Sequence, residues 1–268
     1  MIISHLRGEL LVVAQPDHGT QTGLIAGLWG NDEVGRPAHG DAPRLAARHH
    51  DDGWALWERR PTLDPATQQP IQFYEVRPEE HLAAYRAGIQ RAAQLDPWTG
   101  LLVSMHGAGL YNDRYGSYRL EEIGKQALST DERALVDQFL TDMADLQRDL
   151  YATATGHTAL TPPPDLPEVR AQYLLLQVWD RISLQFALRH AADGRIRPLP
   201  AGSAAEQLAC TNAGAFRLRL DPYPFADDRV ALPVEARRVA DRAYTDPEDF
   251  LAAMAAAPVD VLECEAVR

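Results

Sequence analysis

The chain is poor in cysteine, in lysine and in long apolar runs, and each shortage removes a class of protein. Only Cys210 and Cys264 occur, late in 268 residues and outside any CxxC or other close-spaced pattern. A cysteine-based zinc site and a disulfide scaffold are thereby disfavoured, and a reducing compartment is expected. No segment approaches 18 uninterrupted apolar residues, and Met1-Ile2-Ile3-Ser4-His5-Leu6-Arg7 lacks the apolar stretch of a secretion signal. The reading is a cytoplasmic protein with no membrane partner. Lys125 is the single lysine, so nearly all basic residues are arginine, and acidic residues outnumber them to leave a formal net charge of −12. Such a field works against nonspecific binding to nucleic acid or anionic lipid. GC-rich coding alone explains an arginine bias, although one or two arginines facing a pocket would suit phosphate or carboxylate.

What is present is an ordinary globular composition, 46% hydrophobic and 24% charged, long enough for one main core. Ile2 to His5 and Glu9 to Val13 read as a hairpin around Gly8. Helices are predicted from Pro16 to Gly30, from Ala42 to Asp52, from Pro78, from Trp98 to about Leu110, from Thr130 to about Thr155 and from Pro167 to His190. Gly53 falls where a helix commonly stops in the left-handed conformation. The last predicted helix is apolar on most faces and should lie centrally. Beyond Arg195 the strand signals are Ala215 to Leu220, Arg229 to Val234 and Val259 to Cys264, with a short helix at Pro247 to Ala256. The expected fold is mainly α, a helical core over residues 1–194, with a small peripheral antiparallel β region made by the N-terminal hairpin and the strands of a 195–268 appendage packed on the same core.

Chemistry enters through His49-His50-Asp51-Asp52-Gly53-Trp54, where imidazole and carboxylate stand side by side at a helix end. Of nine histidines, His18, His50, His81 and His106 each belong to a different predicted helix, and Asp180 lies inside the most apolar one. An ionised carboxylate there is costly to bury unless paired or bound to metal. Four imidazoles with Asp51 and Asp180 suit one or two divalent transition metals, Fe, Mn, Co or Zn, with Asp51 bridging. Each residue also has a plainer reading. His18 packs at a helix start, His81 sits at the surface near Glu79 and Glu80, His106 is a satisfied core imidazole, Asp180 pairs with an arginine, and His49 rivals His50. Asp52 reads as a general base or as a solvated acid. Arg48, Arg59 and Arg114 read as substrate clamps, and Tyr111, Tyr115 and Tyr118 as walls of a pocket or cover for a core edge.

The order H…HD…D on helices resembles the HD-domain superfamily of metal-dependent phosphohydrolases, with His18, His50, Asp51 and Asp180 at its hallmark positions. His81 and His106 resemble the additional ligands of its binuclear branches, which include phosphodiesterases and diiron oxygenases. Gln15-Pro16-Asp17-His18 and His50-Asp51-Asp52-Gly53-Trp54 with Pro61 are similar to an uncharacterised bacterial family, the DUF3891 proteins. The resemblance covers about residues 1 to 190. It implies an enzyme, a hydrolase acting on a phosphomonoester, nucleotide or phosphodiester at a mono- or binuclear centre, with a small phosphorylated molecule as partner. A diiron oxygenase and a non-catalytic metal- or ligand-binding protein are the competing readings. The chain lacks the GYP motif of the cyclic-dinucleotide branch.

Overall fold

The hairpin strands β1 (Ile2–Leu6) and β2 (Glu9–Val13) bury most of their apolar residues, and they find their remaining partner far along the chain. The computed structural model of the chain describes residues 1–32, 34–117, 128–188, 191–200, 203 and 205–268. The helices follow as α1 (Gln15–Leu28), α2 (Ala42–His49), α3 (Pro78–Leu95), α4 (Pro97–Gly109), α5 (Thr130–Thr155) and α6 (Pro167–Ala187). Proline occupies the first turn of α1, α2, α3, α4 and α6, where its missing N–H costs nothing and its fixed φ is already helical. α5 instead opens on a capping box: the Ser129 hydroxyl accepts from Glu132 N–H, and the Glu132 carboxylate accepts from Ser129 N–H. α6 runs through the centre. Tyr173, Leu176, Trp179, Ile182 and Phe186 are fully buried on it, together with the charged Asp180.

The C-terminal third supplies β3 (Gly194–Ile196), β4 (Leu208–Gly214), β5 (Arg217–Asp221), β6 (Arg229–Ala231), β7 (Val234–Ala240), α7 (Pro247–Ala256), β8 (Val259–Leu262) and β9 (Glu265–Val267). They do not form a small peripheral patch. One sheet has four strands in the order β1-β2-β7-β8 and a second has five in the order β3-β4-β5-β9-β6. The fold is therefore mixed α/β, and the expectation of a mainly helical protein with a minor β region is overturned. Two physical reasons account for the miss. β4, Leu-Ala-Cys-Thr-Asn-Ala-Gly, carries hardly any β-branched or aromatic side chain and owes its place to pairing on both edges. Pro233 splits what reads as one strand near residues 229–234 into β6 and β7, which then enter different sheets.

The first sheet ties the two ends of the chain together, because β2 pairs antiparallel with β7 through Leu10 opposite Val239. One hydrophobic cluster runs from Met1 and Ile2 through the helices to Leu262 and Ala266. Among the described residues no helix is long and apolar enough to cross a membrane. Both cysteines are buried and unbonded, and burial pushes the thiols up to about 11 at Cys210 and about 12 at Cys264. Since the thiolate is the reactive form, neither is expected to react with a thiol-specific disulfide reagent at pH 8 in the native state, and both should titrate in denaturant. Rapid native labelling of either would show that its packing is wrong.

Candidate metal centre

Three helices and the turn after α2 aim polar groups at one buried point. His18 comes from α1, His50 and Asp51 from the end of α2, His106 from α4 and Asp180 from the middle of α6, and all five are almost fully buried. Gly53 makes the approach possible, although not in the left-handed conformation expected of it. It lies in a 3-10 turn, Asp52–Ala55, pressed against α3, where an added Cβ would sit 1.9 Å from the Ala84 carbonyl oxygen.

The hydrogen bonds around the imidazoles define which nitrogen carries the proton. Ser183 donates its hydroxyl hydrogen to Gln21 Oε1 at 2.5 Å, so its oxygen accepts from His18 Nδ1–H at 2.7 Å. His50 Nδ1 donates to the carbonyl of Ala47 at 2.8 Å. In each ring the remaining Nε2 faces a carboxylate. His18 Nε2 stands 3.0 Å from Asp180 Oδ1, while His50 Nε2 lies 3.3 Å from Asp51 Oδ2 and 3.8 Å from Asp180 Oδ1. His50 Nε2 has no hydrogen-bond partner. Buried carboxylates facing imidazole nitrogens are stabilised by positive charge between them, supplied by a proton on a ring or by a metal ion.

A proton meets that need in part. Burial lowers His50, yet the charge of Asp51 and the closeness of the Asp180 and Asp51 carboxylates outweigh it and hold the imidazole well above its ordinary range. Asp51 and Asp180 are raised by burial, and the neighbouring imidazoles more than reverse this, leaving both carboxyls below theirs. His106 is driven down to about 3 by burial and by His50. Two groups, each with donor atoms mutually within 4.8 Å, could hold an ion: His18, His50 and Asp180, and His50, Asp51 and His106. Nitrogen and carboxylate donors of this kind suit first-row divalent ions. His50 is common to both, and Asp51 belongs to the second, with Oδ2 toward His50 and Oδ1 3.7 Å from His106 Nε2.

The sixth expected ligand, His81, stands just outside. Its Nδ1 shares a hydrogen bond with the Tyr111 hydroxyl at 2.7 Å, its ring packs on Trp54 and Tyr85, and burial lowers it to about 4. Between His81 and the centre sits Tyr85, whose hydroxyl donates to Asp51 Oδ1 at 3.1 Å and lies 3.5 Å from His106 Nε2. Burial and the charge of Asp51 raise that phenol well above its usual range. Tyr85 was legible only as an apolar position of α3. Gln15 and Gln177 were missed too, and spacing could have found them: each precedes a ligand, His18 or Asp180, by three residues on the same helix face. Gln177 Nε2 contacts His106 Nδ1 at 3.1 Å while its Oε1 has no partner, and both amide atoms of Gln15 are buried without one.

A cavity of about 520 Å³ opens onto the centre, lined by His18, Asp51, His81, Tyr85, His106, Asp180, Gln15, Gln177 and Arg114. Arg114 is 7% exposed, and its Nη1 has no hydrogen-bond partner. It is held there by a backbone run in which Asp113, Arg114, Tyr115 and Gly116 all have positive φ. Tyr111 also lines the cavity, whereas Tyr115 turns its hydroxyl to Gln147 and its ring to Tyr173. Tyr118 lies outside the described residues. Asp52 and Arg48 are seated elsewhere: Asp52 contacts His49 Nδ1 at 2.6 Å and Arg48 at 3.6 Å, and Arg48 donates to the Pro16 carbonyl. Neither they nor Arg59 line the cavity.

A mixed α/β fold enclosing a buried His/Asp cluster beside a largely apolar cavity defines the protein as a class. Residues 1–241 match a family described as "Protein of unknown function (DUF3891)", and the chain belongs to that family. The match runs past residue 190 and takes in β3 to β7, while α7, β8 and β9 lie beyond it. Searches of curated proteins and of solved structures found no match.

Proposed function

We propose that this protein is a metal-dependent hydrolase of phosphate esters, with His18, His50, Asp51, His106 and Asp180 holding one or two divalent ions in the manner of the HD-domain superfamily. The observation that carries the reading is the pair of buried imidazole nitrogens facing buried carboxylates, beside a buried arginine that lines the same cavity. Divalent ions in such a site act as Lewis acids on a phosphoryl oxygen and acidify water. The protein supplies the rest. Tyr85 fixes Asp51 through its hydroxyl, Ser183 and the Ala47 carbonyl fix the two imidazoles, and Arg114 binds a phosphoryl oxygen by a charge-assisted hydrogen bond. Gln15 and Gln177 offer amide groups to the substrate, and the apolar walls exclude competing water. His81, tied to Tyr111, steadies Tyr85 rather than serving as a ligand.

Turnover of 4-nitrophenyl phosphate esters by protein loaded with Mn, Fe, Co or Zn tests the proposal, with one arm run without dioxygen. Hydrolysis independent of dioxygen is expected. Arg114→Met should lower kcat/KM about a hundredfold, the order seen when one preorganised charge-stabilising donor is removed, with metal content unchanged. Loss of all turnover on removing dioxygen, or an Arg114→Met variant as active as the parent, would sink the assignment.

A further inference from the structure

The cavity does not end at the metal centre; it continues past it on both sides. Helix α6 gives the scale, because Leu174, Gln177, Asp180 and Leu184 all line the cavity in order along one helix. At 1.5 Å rise per residue, Leu174 lies about 9 Å before Asp180 and Leu184 about 6 Å after it. Two sets of contacts anchor the opposite ends. Before Asp180, the end of α4 packs on α6 so closely that a Cβ on Gly109 would lie 2.1 Å from the Tyr173 hydroxyl and 3.5 Å from Arg114 Cδ. Leu110, Leu174 and Arg114 therefore share one lobe. After Asp180, Arg181 donates to the Arg197 carbonyl at 2.8 Å, bringing Arg197 and Pro198 over Leu184 and Leu188 in the other lobe.

A monoester places its terminal phosphate at the centre and needs room on one side only. Here apolar side chains flank the ligands on two sides, and the buried guanidinium without a partner at Nη1 stands on one of them. We propose, resting on the hydrolase reading above, that the site takes an acyclic phosphodiester with an apolar group on each arm. One arm lies against Leu110 and Leu174, the other against Leu184 and Leu188, and Arg114 holds the single negative charge of the diester. In the reaction a water oxygen bonds to phosphorus, the bond from phosphorus to one arm's oxygen breaks, and that oxygen leaves as an alcohol carrying a proton. The remaining arm stays on a phosphomonoester, and no oxidant or second substrate is consumed.

Calorimetric binding to the metal-loaded protein tests this apart from turnover. Diphenyl phosphate and methyl phenyl phosphate carry the same charge and differ in one apolar arm. Diphenyl phosphate should bind about tenfold more tightly, the effect expected for burying an extra ring. Leu110→Trp and Leu184→Trp, each filling one lobe, should both bring that ratio close to one while leaving metal content unchanged. Leu110→Phe and Leu184→Phe replace either variant if its thermal melt shows that it does not fold. Equal affinities, no binding of either ester, or a ratio sensitive to only one of the two lobes would overturn the two-armed assignment. Selective binding of diphenyl phosphate without any hydrolysis of bis(4-nitrophenyl) phosphate would instead overturn the hydrolase reading and leave the binding assignment standing.

Discussion

Protein carrying Asp51→Ala is expected to be purified with less than about a tenth of the divalent metal found in the parent. Residues that only orient a ligand already cost about 10- to 100-fold in affinity, and Asp51 offers its two oxygens directly to His50 and His106. Elemental analysis of both proteins, prepared side by side, is the measurement. The same centre predicts a stability effect in the parent. An ion held at about 100 times its dissociation constant stabilises by about 2.7 kcal/mol, which for a chain of this size corresponds to roughly 5–10 °C in Tm. A chelator should lower the parent's Tm by that amount and leave Asp51→Ala nearly unmoved. Equal and negligible metal in both proteins would remove the basis of the functional proposal.

Gly53→Ala should be the most damaging of the small substitutions. The added carbon meets the Ala84 carbonyl at 1.9 Å and the Gly88 nitrogen at 2.9 Å, both backbone, so no side-chain rotation relieves the overlap. Helix α3 must move away, at an expected cost of about 3 kcal/mol, and it carries Tyr85 away from Asp51 as it goes. Gly35→Ala is the matched control: a Cβ there meets nothing within 4 Å, and its φ is not left-handed. Chemical denaturation should separate the two by several-fold in free energy, with reduced metal content in Gly53→Ala alone. A Gly53→Ala protein within about 0.5 kcal/mol of the parent would show that the helix contact is not tight.

The helices were readable because local chemistry announces them. Ser129 with Glu132, and proline at the first turn of α3, α6 and α7, mark starts that the structure reproduces at Thr130, Pro78, Pro167 and Pro247. β4 and β7 were hidden for the opposite reason, since their strand character comes from neighbours supplied by distant segments. The site divides in the same way. His18, His50, Asp51, His106 and Asp180 stand out by residue type at four separate places along the helical part of the chain, and the fold brings those five together. Tyr85 and His81 are one helical turn apart on the same face of α3, and sequence alone does not say which of them reaches Asp51. Arg114 depends on a backbone run at positive φ, a property of the folded turn rather than of the residues in it.

The pairing of β2 with β7 also sets an order of events during synthesis. Leu10 and Val239 stand opposite each other although more than two hundred residues lie between them. At about 5–20 residues per second, the ribosome takes roughly 10–50 s to make that intervening chain. During this interval the hairpin lacks the strand that completes its edge, and α1 to α6 are made before that strand is. β2 gains its partner only after all six helices have been made, and a nascent chain stalled before β7 leaves an open strand edge of the kind that invites pairing with another chain.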